Sequence, residues 1–157
     1  MLLDTSNIWD STADIIVVSA CGIVRDGHLI MRTGSALQAA TKYPALPSLA
    51  ASQISRLRLW QDYDQCSCYT YGFTSITIDA LHEIGLFQNK LWDGSETLMS
   101  MIGLGVASMN FWLSALRDDI KISMTYPDTE TLARDSVLSI LRDLPDSVTV
   151  HSLVELS

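Results

Sequence analysis

Asp14-Ile15-Ile16-Val17-Val18-Ser19-Ala20 is the stretch from which the fold can be read. It is a continuous apolar run, rich in β-branched residues, with no polar face to offer water. A run of this kind and length reads as a strand covered on both sides, as in a parallel sheet. Residues 22–34 then break the pattern with three glycines and several polar residues. From Ser35 the spacing turns helical, and the helix stops at Pro44, whose ring cannot continue it. The local order is strand, glycine-bearing loop, helix.

Working outward, a second helix is expected within residues 48–60. Residues 68–78 are rich in Tyr, Thr, Phe and Ile and read as one strand, or as two interrupted near Gly72. Residues 84–90 form a further strand candidate. Residues 119–126 alternate and are halted by Pro127, residues 131–144 carry Leu132, Val137, Leu138 and Leu141 at helical spacing, and residues 147–150 close as a last strand. Strands alternating with helices predict an α/β domain with a sheet between helical layers, spanning residues 1–157 as one unit.

Residues 97–116 contain no charge, nearly the length of a membrane-spanning helix. Ser100, Gly103, Ala107, Asn110 and Ser114 nevertheless form a small, weakly polar stripe along it. A helix packed on a sheet fits that pattern better than a bilayer span, with Asp93 or Ser95 as its cap and Glu96 in its first turn.

Composition narrows the function. Hydrophobic residues are 48% and charged residues 18% of the 157, which excludes general disorder. Eighteen acidic residues against ten Lys and Arg give a net charge of −8. Without a basic run, the chain lacks the means to grip a nucleic-acid backbone. Three cysteines, Cys21, Cys66 and Cys68, cannot all pair, and no Cys/His set has zinc spacing. Reduced thiols, no metal and no cofactor are expected. Residues 1–4 have neither the basic nor the apolar part of a signal peptide, so a cytoplasmic location is expected.

In sheets of this type ligands bind beyond the carboxyl ends of the strands, where loops lead into helices. Two loops qualify, residues 21–35 and residues 126–134. The first has the glycines that let backbone amides approach a phosphate. The second has none and carries Asp128 and Glu130, which repel one.

These residues resemble the macro domain, a family that binds ADP-ribose and its derivatives, and its bacteriophage branch in particular. Ser6-Asn7-Ile8 followed by residues 14–21 is similar to the family's G-D-I and then D-A-I-V-N-A-A-N. Residues 27–44 are similar to its glycine loop and helix, G-x-x-x-M-G-x-G-x-A-L-Q-x-x-x-x-x-P. Leu86-Phe87-Gln88-Asn89-Lys90 resembles the L-F-Q-x-K strand of the phage branch, and residues 132–137 and 144–150 resemble its closing helix and strand. The resemblance implies a three-layer α/β/α sandwich around a mixed, mostly parallel sheet. It places ligand contacts at Asn7, Ile8, Ala20, Cys21, Gly27, Met31, Arg32, Thr33, Gly34, Ser35, Tyr126 and Asp128.

Several positions depart from the family pattern. Asn7 stands at the adenine-binding Asp, Cys21 at the Asn beside the distal ribose, and Arg32 at a glycine. Residues 127–133 replace the second glycine loop, with Ala133 where some members carry a catalytic Asp. Lys90 matches a lysine that certain members use as a nucleophile, here without that Asp; His28, in the glycine loop, is the other catalytic candidate. The resemblance therefore implies binding of an ADP-ribose-type nucleotide or signalling molecule without efficient turnover, with sequestration in a host cytoplasm as the phage role. The alternatives are a hydrolase of ADP-ribosyl bonds or of ADP-ribose phosphate, and an interaction protein with a degenerate pocket. In that last case the stripe from Ser100 to Ser114 would be a contact face, and a homo-oligomer is possible.

Overall fold

In the computed structural model, the quoted run becomes a central strand. The structure describes residues 1–57, 60–62, 67–69, 71–90, 99–127 and 132–152. In chain order the strands are β1 (Leu2–Asp4), β2 (Ile15–Cys21), β3 (Ile23–Arg25), β4 (His28–Leu29), β5 (Trp60–Asp62), β6 (Ser67–Tyr69), β7 (Gly72–Thr77), β8 (Glu83–Lys90), β9 (Ile122–Thr125) and β10 (Val148–His151). The helices are α1 (Gly34–Lys42), α2 (Leu46–Leu57), α3 (Met99–Leu113) and α4 (Arg134–Leu141), with a short 3-10 turn at Ile8–Asp10.

The main sheet has six strands in the order β1-β10-β9-β2-β8-β7. All its pairings are parallel except that of β7 with β8. Because β2 lies between β8 and β9, alternate residues must be apolar on both faces. Ile15 and Val17 join Phe87, Met124 and Val150 beneath Ile102 and Val106 of α3 and Val137 and Leu141 of α4. Val18 and Ala20 join Ile84 and Leu86 beneath Ala36 and Ala39 of α1 and Leu46, Ala50 and Ile54 of α2. The three-layer α/β/α sandwich with a mixed, mostly parallel sheet is therefore the observed architecture.

Several elements differ from the sequence expectation. Within residues 22–34 the chain forms a hairpin, β3 paired antiparallel with β4. Asp26 (φ 53°) and Gly27 (φ 78°) turn it. Asp-Gly is a favoured pair for a two-residue hairpin turn, since both positions take the left-handed conformation. Residues 68–78 do split near Gly72, but the two parts enter different sheets. β7 edges the main sheet, while β6 joins a small antiparallel sheet ordered β4-β3-β6-β5. β1 and β5 carry no sequence signal of their own; each is three residues long.

α3 buries Met101, Ile102, Gly105, Val106 and Met109. Of its small-residue stripe, Ser100, Ala107 and Ser114 are exposed and Gly103 and Asn110 half-buried. Among the described residues no helix is long and apolar enough to cross a membrane. The expected cap residues Asp93, Ser95 and Glu96 lie outside the described residues.

Candidate functional site

The parallel strands β2, β8, β9 and β10 all deliver their carboxyl ends to one edge of the sandwich, and the start of α1 is fastened over that edge. Ser35 is the fastener. Its Oγ accepts the Ser19 N–H at 3.1 Å and donates to the Ser19 carbonyl at 3.2 Å. The Ser19 N–H also reaches Thr125 Oγ1 at 3.0 Å, which ties β9 into the same knot. Ser19 Oγ donates to Asn89 Oδ1 at 2.5 Å, adding β8. Ser19, Ser35 and Asn89 are all buried, so these bonds satisfy groups that water cannot reach.

Helix α1 begins at Gly34, whose φ of +59° is a left-handed conformation suited to glycine. The first amides of any helix lack partners within it and attract anions. Just ahead, Arg32 and Thr33 are exposed and Met31 is buried. Ala20 and Cys21 end β2 and are buried, and Cys21 Sγ donates to the Ile30 carbonyl at 3.4 Å. Ala20, Cys21, Met31, Arg32, Thr33, Gly34 and Ser35 thus lie together at the strand ends. Gly27 and His28 lie apart from the α1 start, at the turn of the β3–β4 hairpin. His28 is exposed there, its Nδ1 3.1 Å from the Asp26 carbonyl oxygen.

Lys90 is the last residue of β8, opposite Cys21 in the β2–β8 register, and only 3% exposed. A lysine on a strand end would ordinarily reach into solvent; this one is held inside the site's floor. Tyr126 follows β9. Among the described residues its hydroxyl is buried with no hydrogen-bond partner, and burial raises its pKa above the usual tyrosine value against the opposing charge of Arg134. Asp128 and Glu130 lie outside the described residues.

Asn7 and Ile8 flank the same edge through the 3-10 turn. Asn7 is exposed and caps the turn, its Oδ1 accepting the Trp9 N–H at 3.0 Å, and Ile8 is buried. This segment is held down by a residue to which the sequence assigns no role. His151 lies far along the chain, but the parallel pairing of β10 with β9 sets it opposite Thr125. Its Nε2 is 3.0 Å from Ser123 Oγ and its Nδ1 3.3 Å from the Ser6 carbonyl oxygen. Ser123 Oγ in turn is 2.6 Å from Ser11 Oγ. Ser19, Asn89, Ser123, Thr125 and His151 are the site residues missing from the sequence reading. The available signal was their position as polar residues in or ending otherwise apolar strands. Among the described residues no group of His, Cys, Asp and Glu could hold a metal ion.

No protein-family profile matches the chain, and no curated protein matches its sequence. Solved structures do match in shape. The macrodomain of DarG from Thermus aquaticus superposes with a TM-score of 0.65 at 13% identity, covering 96% of this chain and 95% of that one. A macrodomain protein from Streptomyces coelicolor gives 0.61 at 14% identity, over 91% and 90%. A mutant leucine aminopeptidase from tomato gives 0.54 at 13% identity, over 97% of this chain but 32% of that one. The chain has the macrodomain fold.

Proposed function

We propose that the protein binds an ADP-ribose-type nucleotide, a nucleoside diphosphate carrying a second ribose, without efficient turnover. The base end lies at Asn7 and Ile8. The diphosphate lies against residues 31–35 and the start of α1, with Arg32 supplying a forked cationic contact in place of a glycine amide. Gly27 and His28 reach the ligand from the hairpin turn, and Tyr126 faces its distal part. The observation that carries this reading is the Ser19–Ser35–Thr125 knot, which holds a helix start over the carboxyl ends of two parallel strands. Macrodomains among the structural matches, and the sequence likeness around residues 31–44, support the same ligand class. The phage-branch likeness adds a role, removal of a nucleotide immune signal from a host cytoplasm by sequestration. Calorimetric titration with ADP-ribose and with its cyclic and amino-acid-linked relatives tests the proposal; flat heats for all of them end it.

A second reading is favoured by one observation, the burial of Lys90 at the site. A shielded amine next to a bound distal ribose is placed to act as a nucleophile on an ADP-ribosyl bond. Turnover that disappears in Lys90→Ala and survives in His28→Ala would replace binding with hydrolysis.

A further inference from the structure

We infer that the outer edge of the main sheet, β7 with α3 above it, is the contact between two copies of this chain. Phe111 of α3 is 84% exposed and Leu104 49%. Beside them a groove opens between helix and strand, lined by Ala107, Phe111 and Trp112 above and by Phe73, Thr74 and Ser75 below. Ser100, Leu104, Ala107, Phe111 and Ser114 are all exposed along the solvent side of α3. Their spacing alternates between four and three residues, which draws one seam down the helix, small and large side chains in turn. Contiguous exposed apolar surface of this kind marks a contact face.

The strand below is open as well. The Ile78 N–H bonds the His82 carbonyl at 3.0 Å. The alternation of an antiparallel ladder therefore turns the backbone groups of Gly72, Thr74 and Ile76 toward β8 and those of Phe73, Ser75 and Thr77 outward. The Thr77 carbonyl accepts from Gln53 Nε2 at 3.2 Å. The N–H and carbonyl groups of Phe73 and Ser75 meet no partner among the described residues.

Charge and symmetry make the occupant a second copy. Residues 72–78 and 99–116 contain no Asp, Glu, Lys or Arg, in a chain whose net charge is −8. Glu83, at the margin, accepts from Ser75 Oγ. A strongly charged partner finds no countercharge here, whereas two acidic chains meet with least repulsion across such a face. The face is also its own complement, as a two-fold contact requires. An axis through Thr74 sets Phe73 opposite the partner's Ser75, and Ser75 opposite the partner's Phe73, each with outward backbone groups to exchange. α3 lies over both strands, with Gly105 against Phe87 of β8 and Ser108 beside Gly72 of β7. The two copies of α3 then stand about 10 Å apart, an ordinary packing distance for helices. Phe111 falls on the partner's Ala107 and Leu104 on the partner's Ser114, large on small. A face one 15-residue helix long gives at most about 800 Å² per partner, the small end of stable interfaces, so dissociation in the micromolar range is expected.

The test is sedimentation equilibrium of the full chain from micromolar to millimolar concentration. The expected mass rises from monomer to dimer and stops there, because a two-fold contact closes on itself. Phe111→Glu should weaken the dimer at least about thirtyfold, since the lost contact occurs twice. Ala107→Lys should weaken it likewise. Mixing these two variants should restore a dimer, because the new carboxylate then meets the new amine. Leu3→Glu, on β1 at the opposite edge of the sheet, should leave the dimer unchanged. All three positions are exposed, and thermal unfolding checks that each variant folds. A monomer at every concentration, a mass that climbs past the dimer, or a dimer that Phe111→Glu leaves intact overturns the inference. So does a dimer that only Leu3→Glu dissociates. A monomer that floats with phosphatidylcholine vesicles, and is released by Phe111→Glu, gives the face to a membrane surface and overturns it too. Failure of the mixed variants to pair overturns the two-fold arrangement.

Discussion

Ser35 and Ser19 bond to each other twice, the Ser35 hydroxyl accepting the Ser19 N–H and donating to the Ser19 carbonyl. This pair couples the first turn of α1 to the middle of the sheet, so the position of the proposed phosphate contacts depends on the Ser19 backbone, 16 residues away in sequence. Ser35→Ala removes both bonds. The Ser19 N–H keeps Thr125 Oγ1, so the loss is partial, about 1–2 kcal/mol in urea unfolding. Affinity for the nucleotide should fall together with stability. A variant that unfolds earlier but binds unchanged would separate the knot from the site.

Two glycines of α3 answer the same substitution with opposite signs. A methyl group at Gly105 would meet the Phe87 ring at 2.6 Å, and Phe87 is fully buried in the core with no room to swing aside. Gly105→Ala should cost about 1–3 kcal/mol as overpacking. At Gly103 a methyl group meets nothing within 4 Å. Gly103→Ala should gain about 0.5–1 kcal/mol, because alanine loses less backbone freedom when the helix forms. Thermal unfolding of the two variants beside the parent decides both. A stabilised Gly105→Ala would mean that Phe87 yields, and that the close contact between α3 and β8 is not a constraint.

The parts of the fold legible in the sequence are those with a single physical reading. β2 is an apolar run with no polar alternative, and α1 is closed by Pro44. The hairpin of β3 and β4 is harder because its glycines also suit a phosphate loop, although Asp26-Gly27 carries the turn signal. Strands of two or three residues, such as β1 and β4, are too short to show a period. They exist because a distant partner is already in place, as Leu2 finds Thr149. The site divides in the same way. Ser35 is legible as part of a helix start after a strand. Thr125, Asn89 and His151 are not, because a polar residue at a strand end looks the same in sequence whether it is solvated or buried in a knot.

Tyr126 carries a buried hydroxyl with no partner among the described residues, an arrangement that costs stability. Tyr126→Phe should therefore raise the melting temperature, by an amount equivalent to about 1 kcal/mol. Burial also raises the phenol's pKa above the usual 10.0. The unfolded chain then ionises first as pH rises, so this residue's contribution is complete below about pH 10 and is lost through the folded-state pKa above it. Stability measured from pH 9 to 11 should fall less steeply in Tyr126→Phe than in the parent. If the hydroxyl is reserved for the ligand, the same variant should bind the nucleotide about three- to tenfold more weakly. Parallel alkaline limbs would show that Tyr126 is not the group responsible.

His151 belongs to a chain of hydrogen bonds that links two segments distant in sequence. The Ala13 N–H donates to Ser11 Oγ at 3.1 Å, the Ser11 and Ser123 hydroxyls lie 2.6 Å apart, and His151 stands 3.0 Å from Ser123 Oγ through Nε2 and 3.3 Å from the Ser6 carbonyl oxygen through Nδ1. The chain staples residues 6–13, and with them Asn7 and Ile8, to β9 and β10. His151→Ala cuts it between Ser123 and Ser6 and leaves the Ser123 hydroxyl without its imidazole partner. The expected cost is about 1–2 kcal/mol of global stability. Hydrogen exchange should localise the effect, with the amides of residues 8–13 exchanging faster while those of β2 and β8 lose only the global decrement. Ser123→Ala should reproduce the local acceleration, since it cuts the same chain one link away. Uniform acceleration across the sheet in both variants would mean that His151 supports the core as a whole and not the base-end segment.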